Sequence, residues 1–267
     1  MKEIGYIVEE GVRLRANPAR DDCFRVFLRD TDLHEYEGNG MDARREAVHR
    51  HMSNEITSLD IAAQCVADYP DAPWDLRLEL ARQSWDEARH IAALHRRLEE
   101  LGGHKGDFPI SAFEWTVTCA IDDLPGRLAS QNRTLEAGAM DVVGGNIREW
   151  REIGDHETAD VLDAILADEI QHVRFANRWI KQLAAGNPRV LMKVAMAVRF
   201  LALANQALMP KAGEANQAGK VYEDFSDRIP AVNIEDRKLA EFSDDEIHEI
   251  LRQAGFRSLI PSEQVHA

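Results

Sequence analysis

Asp86-Glu87-Ala88-Arg89-His90-Ile91 returns 82 positions later as Asp168-Glu169-Ile170-Gln171-His172-Val173. The match runs on through Arg96 and Arg178, Leu98 and Ile180, and Leu101 and Leu183. Upstream of each copy lies a second matched pair. Glu55-Ile56-Thr57-Ser58-Leu59-Asp60-Ile61 answers Glu136-Ala137-Gly138-Ala139-Met140-Asp141-Val142, at an offset of 81. The chain therefore repeats one unit: a helix with a central Glu, then a helix carrying Asp-Glu-x-x-His. Positions i and i+3 share a helix face, so the Glu and His of each motif project together.

The surrounding sequence reads as all-α. A helix is expected over Met41 to Asp68, stopped by Tyr69-Pro70. A second follows Asp71-Ala72-Pro73, with Asp71 as its N-cap, and ends at Leu101 before Gly102-Gly103. Residues 104–125 form a long connection with one short helix, broken at Pro125. A third helix covers Arg127 to Glu152, a fourth Glu157 to Ala185, and a buried fifth residues 189–208. Residues 211–242 read as irregular. A last short helix opens on the capping box Ser243-Asp244-Asp245-Glu246 and closes at Gly255. The expected division is an N-terminal extension (1–40), a four-helix bundle with one long crossover (41–185) and a C-terminal helix and tail (186–267).

The 267 residues allow one large domain or two small ones. With 47 acidic residues against 32 basic ones the net charge is −15, which argues against nucleic acid or an anionic membrane as partner. Cys23, Cys65 and Cys119 form no C-x-x-C pair and no disulfide framework. The start lacks the apolar core of a signal peptide, and Val190 to Leu208 is interrupted by Lys193, Arg199 and Asn205. A cytoplasmic location and no membrane span are expected.

Glu-x-x-His occurs four times, and alone it is weak evidence. Glu46/His49 and Glu263/His266 read as accidents: Glu46 lies nine positions before Glu55, about 180° around the helix, and Glu263 is near the chain end. Glu87/His90 and Glu169/His172 sit mid-helix, each after an Asp and each with a lone Glu in the preceding helix. Antiparallel packing of these helices is expected to bring four carboxylates and two imidazoles together. Four buried carboxylates are costly unless compensated, and two divalent cations would offset them. Carboxylate and imidazole without thiolate suits iron or manganese better than zinc. The bland alternative is a buried polar network.

The set Glu55, Glu87-x-x-His90, Glu136 and Glu169-x-x-His172 resembles the ferritin-like di-iron carboxylate superfamily, over residues 41–185. The resemblance implies two iron ions, with manganese as the alternative, held by those six residues. Glu87 and Glu169 would be the bridging, catalytic carboxylates, and Glu55 and Glu136 the terminal ones. Asp86 would bond the free ring nitrogen of His172, and Asp168 that of His90. It also implies an O2-activating oxidoreductase acting on a small molecule, with an external reductant or electron-donor protein, in a monomer or homodimer. The size and layout look closest to small stand-alone oxygenases and an uncharacterised ferritin-like family of similar length. A ferroxidase, a metal-storage protein or a manganese catalase would use the same ligands; a helical interaction protein with a structural site is the third reading.

Other residues carry weaker signals. His51, one turn before Glu55, reads as a hydrogen-bonding neighbour of the site. Asp60 and Asp141 follow their Glu by five positions and stand open between packing and support of the site. Trp74, Trp85, Trp115 and Tyr69 are expected to pack. Ala137-Gly138-Ala139 and Gly144-Gly145 point equally to a pocket, a π-bulge or close helix packing. Arg189, Lys193 and Arg199 read as a solvated basic face. The Tyr222-Glu223-Asp224-Phe225 stretch reads as a lid or a packed tail.

Overall fold

A computed structural model describes residues 5–34, 36–209, 215 and 232–256. The Tyr222–Phe225 stretch and the Glu263/His266 pair lie outside the described residues. The protein is mostly helical, and its contacts divide it into two compact units: residues 1–131 with 183–223, and residues 132–182 with 224–267.

The first unit opens with a hairpin absent from the sequence reading. Strands β1 (Tyr6–Glu9) and β2 (Val12–Arg15) pair antiparallel, with Tyr6 opposite Arg15. Glu10 and Gly11 turn the chain with φ of 45° and 82°, the left-handed pair a two-residue turn requires. Strand β3 (Val26–Phe27) runs parallel to β4 (Ile110–Ser111).

Helix α1 spans Met41–Asp68, as its flanking residues announce. Helix α2 spans Trp74–Glu100. Asp71 does not cap it: Pro73 stands at the N-cap, and its ring has no acceptor with which to make a side-chain bond. At the other end Gly102 is left-handed (φ 77°) and the Gly103 N–H donates to the Leu98 carbonyl, closing the helix. The two helices form an antiparallel hairpin, with Arg45 Nε donating to the Leu101 carbonyl at 2.7 Å. Val48, Met52 and Ile61 of α1 and Leu76, Leu80, Leu94 and Leu98 of α2 are buried.

After α3 (Phe113–Thr118), Pro125 begins a helix rather than breaking one. It lies in the first turn of α4 (Leu124–Ser130), whose N-cap Asp123 accepts the Gly126 N–H at 2.9 Å. The expected third helix is thus α4, then a π-helical stretch Gln131–Glu136, then α5 (Ala137–Glu152). Helix α7 (Arg189–Leu208) packs against α4 and buries Val190, Val194, Ala197, Leu201, Ala204 and Leu208. It is not the buried helix expected: Leu191, Met192 and Met196 point outward, as do Arg189, Lys193 and Arg199. Among the described residues, α7 is the one helix long and apolar enough to cross a membrane.

The second unit joins α5 and α6 (His156–Gly186) to α8 (Ile234–Leu239) and α9 (Asp244–Gln253). Helix α8 lies inside the stretch read as irregular. The α9 capping box forms as expected, with Ser243 and Glu246 exchanging bonds. Ala137, Met140, Ile170, Val173, Phe242, Ile247 and Leu251 make one apolar core. Polar ties secure it: Arg237 forks onto buried Asp141, Arg133 bonds Asn177 and Glu246, and Asn177 bonds the Ala240 carbonyl.

Candidate metal centre

In the first unit, α1 supplies Glu55 while α2 supplies Glu87 and His90. All three are buried, and each offers one ligand atom within 4.8 Å of the others. His90 Nδ1 lies 3.0 Å from Glu87 Oε2 and 3.4 Å from Glu55 Oε2. Burial alone would lower the His90 pKa, yet its bonds to Glu55 and Glu87 outweigh that and push it up to about 11. Burial likewise works against the charged form of Glu55, but His51 and then His90 hold its pKa low. The pocket thus favours positive charge at the meeting point of these side chains, the field a cation needs.

The second unit repeats the arrangement with Glu136 from the π-helical stretch and Glu169 and His172 from α6. These three are also buried with ligand atoms within 4.8 Å of one another. His172 Nδ1 is 3.5 Å from Glu169 Oε1. In both triads Nδ1 is the ring nitrogen turned to the carboxylate three residues earlier. Two carboxylates and one imidazole, without thiolate, suit a divalent ion that accepts oxygen and nitrogen donors.

Three nitrogen donors hold the carboxylates: His51, read from the sequence as a hydrogen-bonding neighbour, and Gln83 and Asn132, which that reading missed. His51 Nε2 lies 2.8 Å from Glu55 Oε1, Gln83 Nε2 donates to Glu87 Oε1 at 3.2 Å, and Asn132 Nδ2 donates to Glu136 Oε2 at 2.9 Å. Each sits four residues before its Glu, one turn away on the same face. That spacing is visible in the sequence. At the matching place before Glu169 stands buried Ile165.

Residues 6–248 match the family described as "Protein of unknown function (DUF455)". The chain belongs to the DUF455 family. No curated protein and no solved structure matches it.

The remaining candidates in this DUF455 chain sort by their neighbours. Asp86 is buried and ion-paired with Arg82 and Arg89 of its own helix, while Asp168 is half-buried. Asp60 receives Arg20 Nη1 at 2.5 Å, and Asp141 receives Arg237 Nε at 2.9 Å and the Asn233 N–H at 2.9 Å. Each matched Asp therefore anchors an arginine from outside the repeat. Glu46 forks with Arg50, and His49 Nε2 accepts the Gly106 N–H, so this Glu-x-x-His pair has separate partners. Among the aromatics Trp115 packs and bonds the Ala16 carbonyl, but Trp74 and Trp85 stand in solvent because their side of α2 faces outward.

The glycines divide too. An added Cβ at Gly144 would come within 3.3 Å of Asn233, so this glycine admits a close approach. At Gly138 an added Cβ would meet nothing within 4 Å, and the residue lines an open cavity of about 410 Å³ with Val142, Val232 and Ile250. Gly138 is two positions from Glu136, about 200° around the helix, so this cavity lies on the side away from the ligand.

Proposed function

We propose that the protein is a dinuclear-metal oxidoreductase of ferritin-like four-helix type, with iron in the site, manganese as the alternative metal, and a small molecule as substrate. The observation that carries this is duplication with burial. Two triads of identical donor type, each a lone Glu with a Glu-x-x-His pair, are withdrawn from water, and within each triad the donor atoms are close enough to hold one ion. Two divalent ions would balance four carboxylates, which are costly to bury otherwise. The π-helical stretch that ends on Glu136 adds weight, since such turns frequently mark functional sites.

When bound, a pair of iron ions would supply the redox chemistry that activates O2, with electrons from an external reductant. The protein's own part follows from its side chains. Glu55, Glu87, Glu136 and Glu169 provide charge and oxygen donors, and His90 and His172 provide Nδ1. Gln83, Asn132 and His51 each hold one carboxylate oxygen and so fix how the other is presented. Asp86 and Asp168 are the proposed acceptors for the remaining ring nitrogens. Burial excludes water from the donors.

Metal analysis of the purified protein should give two ions per chain, magnetically coupled in the reduced protein, and Glu136→Ala or His172→Ala should lower that number. Two ions surviving either change would refute the ligand assignment. Iron-loaded, reduced protein that consumes no O2 would refute the oxidase reading and leave storage or structure.

A further inference from the structure

The outward face of α2 bears Trp74, Leu78, Ala81, Trp85, Ala88 and Ala92, a spacing of 4-3-4-3-4. Trp74, Leu78 and Trp85 are 67%, 50% and 66% exposed. Ala81 and Ala92 are exposed and Ala88 is half-buried. The opposite face, with Leu76, Leu80, Leu94 and Leu98, is the buried one. Alternating fours and threes are the seam by which one helix packs along another. The seam carries two tryptophans, one of the residue types enriched where binding energy between proteins concentrates.

We propose that this seam pairs with the same seam of a second copy, antiparallel, about a two-fold axis that crosses the outward face midway between Ala81 and Trp85. In that register Trp74 faces the partner's Ala92, Leu78 faces the partner's Ala88 and Ala81 faces the partner's Trp85. Every large side chain meets a small one, the interdigitation close packing demands. A parallel pair would set tryptophan on tryptophan and alanine on alanine, leaving clashes and voids. Charge agrees with the antiparallel register. Asp75, at the acidic start of α2, comes beside the partner's Arg89, whose guanidinium also pairs with Asp86 of its own helix, and symmetry makes the contact twice. Arg82, nearest the axis, is turned toward Asp86 of its own helix, 3.4 Å away. The apolar outer face of α7 is a poorer candidate, because Arg199 lies at its centre and α7, unlike α2, has no acid of its own to draw that arginine away from its copy. The pairing stands independently of any metal.

Light scattering on the full chain across a concentration series should give twice the 30.1 kDa chain mass. Trp85→Glu and Ala81→Trp, both at exposed positions, should each raise the dissociation constant at least 100-fold while leaving the circular dichroism unchanged. In a Cys23→Ser background the other cysteines are buried. There, Leu78→Cys mixed with Ala88→Cys should cross-link on oxidation, and neither variant alone should do so. A wild-type monomer at every concentration overturns the proposal. So does a dimer that survives Trp85→Glu, or cross-linking of either cysteine variant with itself.

Discussion

Asn132→Ala tests the candidate site at a single bond. Asn132 Nδ2 donates to Glu136 Oε2 at 2.9 Å, with the two residues 2% and 4% exposed. A hydrogen bond to a charged group contributes about 1.5–3 kcal/mol. At about 1.4 kcal/mol per decade, losing it should weaken metal binding by about 10–150-fold. Partners that orient metal ligands are worth a similar amount, about 10–100-fold. The loss should fall on one ion only, because Asn132 serves Glu136, a terminal carboxylate of the proposed site. The assay is competition with a chromophoric chelator, using manganese or ferrous ion under anaerobic conditions. Wild type should show two tight sites. Asn132→Ala should show one tight site and one weakened at least tenfold, whereas Gln83→Ala, which releases the proposed bridging carboxylate Glu87, should weaken both. Circular dichroism and a thermal melt establish that each variant is folded. Two sites of wild-type affinity in Asn132→Ala, or equal weakening of both, would refute the assignment of this donor to one triad.

Three further outcomes are expected. His49 has its pKa lowered from 6.5 to about 4, chiefly by burial and against the pull of Asp107. Between those pH values the unfolded chain takes up a proton that the folded one refuses, so stability falls as pH falls, by up to about 3 kcal/mol. In urea melts His49→Gln should flatten that dependence, and an unchanged slope would show that His49 is not its source. Arg237→Met removes the fork on buried Asp141 and should cost about 3–5 kcal/mol, whereas the double change Asp141→Leu with Arg237→Met should cost less; additive losses would count against a coupled pair. Gly138→Ala should stabilise the protein by about 0.5–1 kcal/mol in thermal melts, since its Cβ enters open space, and a loss would mean that the space is occupied.

Local chemistry wrote much of the fold plainly. Tyr69-Pro70 and Gly102-Gly103 terminate α1 and α2 where expected, and Ser243 and Glu246 cap α9, because these signals act within a few residues. The hairpin over Tyr6–Arg15 escaped the reading, since two four-residue strands make little pattern and their turn places Glu10 in a left-handed conformation usually left to glycine or asparagine. A π-bulge is one reading of Ala137-Gly138-Ala139, but the π-helical stretch lies just before it. Gln131-Asn132-Arg133-Thr134-Leu135-Glu136 has an ordinary helical composition, and the wider turn leaves no mark in residue types. The donors Gln83 and Asn132 were within reach, as both lie at the fourth residue before a repeated Glu.

By itself, the order of residues determined the duplicated helix pairs and the donor types they carry, because a repeat and a three-residue helical spacing are one-dimensional facts. Only the tertiary structure decided which side of each helix met solvent and which arginine found which acid. Arg237 and Asp141 are 96 positions apart, and Trp85 neighbours a buried Asp86 yet stands in water. Those outcomes depend on what packs across each helix, a property of neighbours brought together by folding.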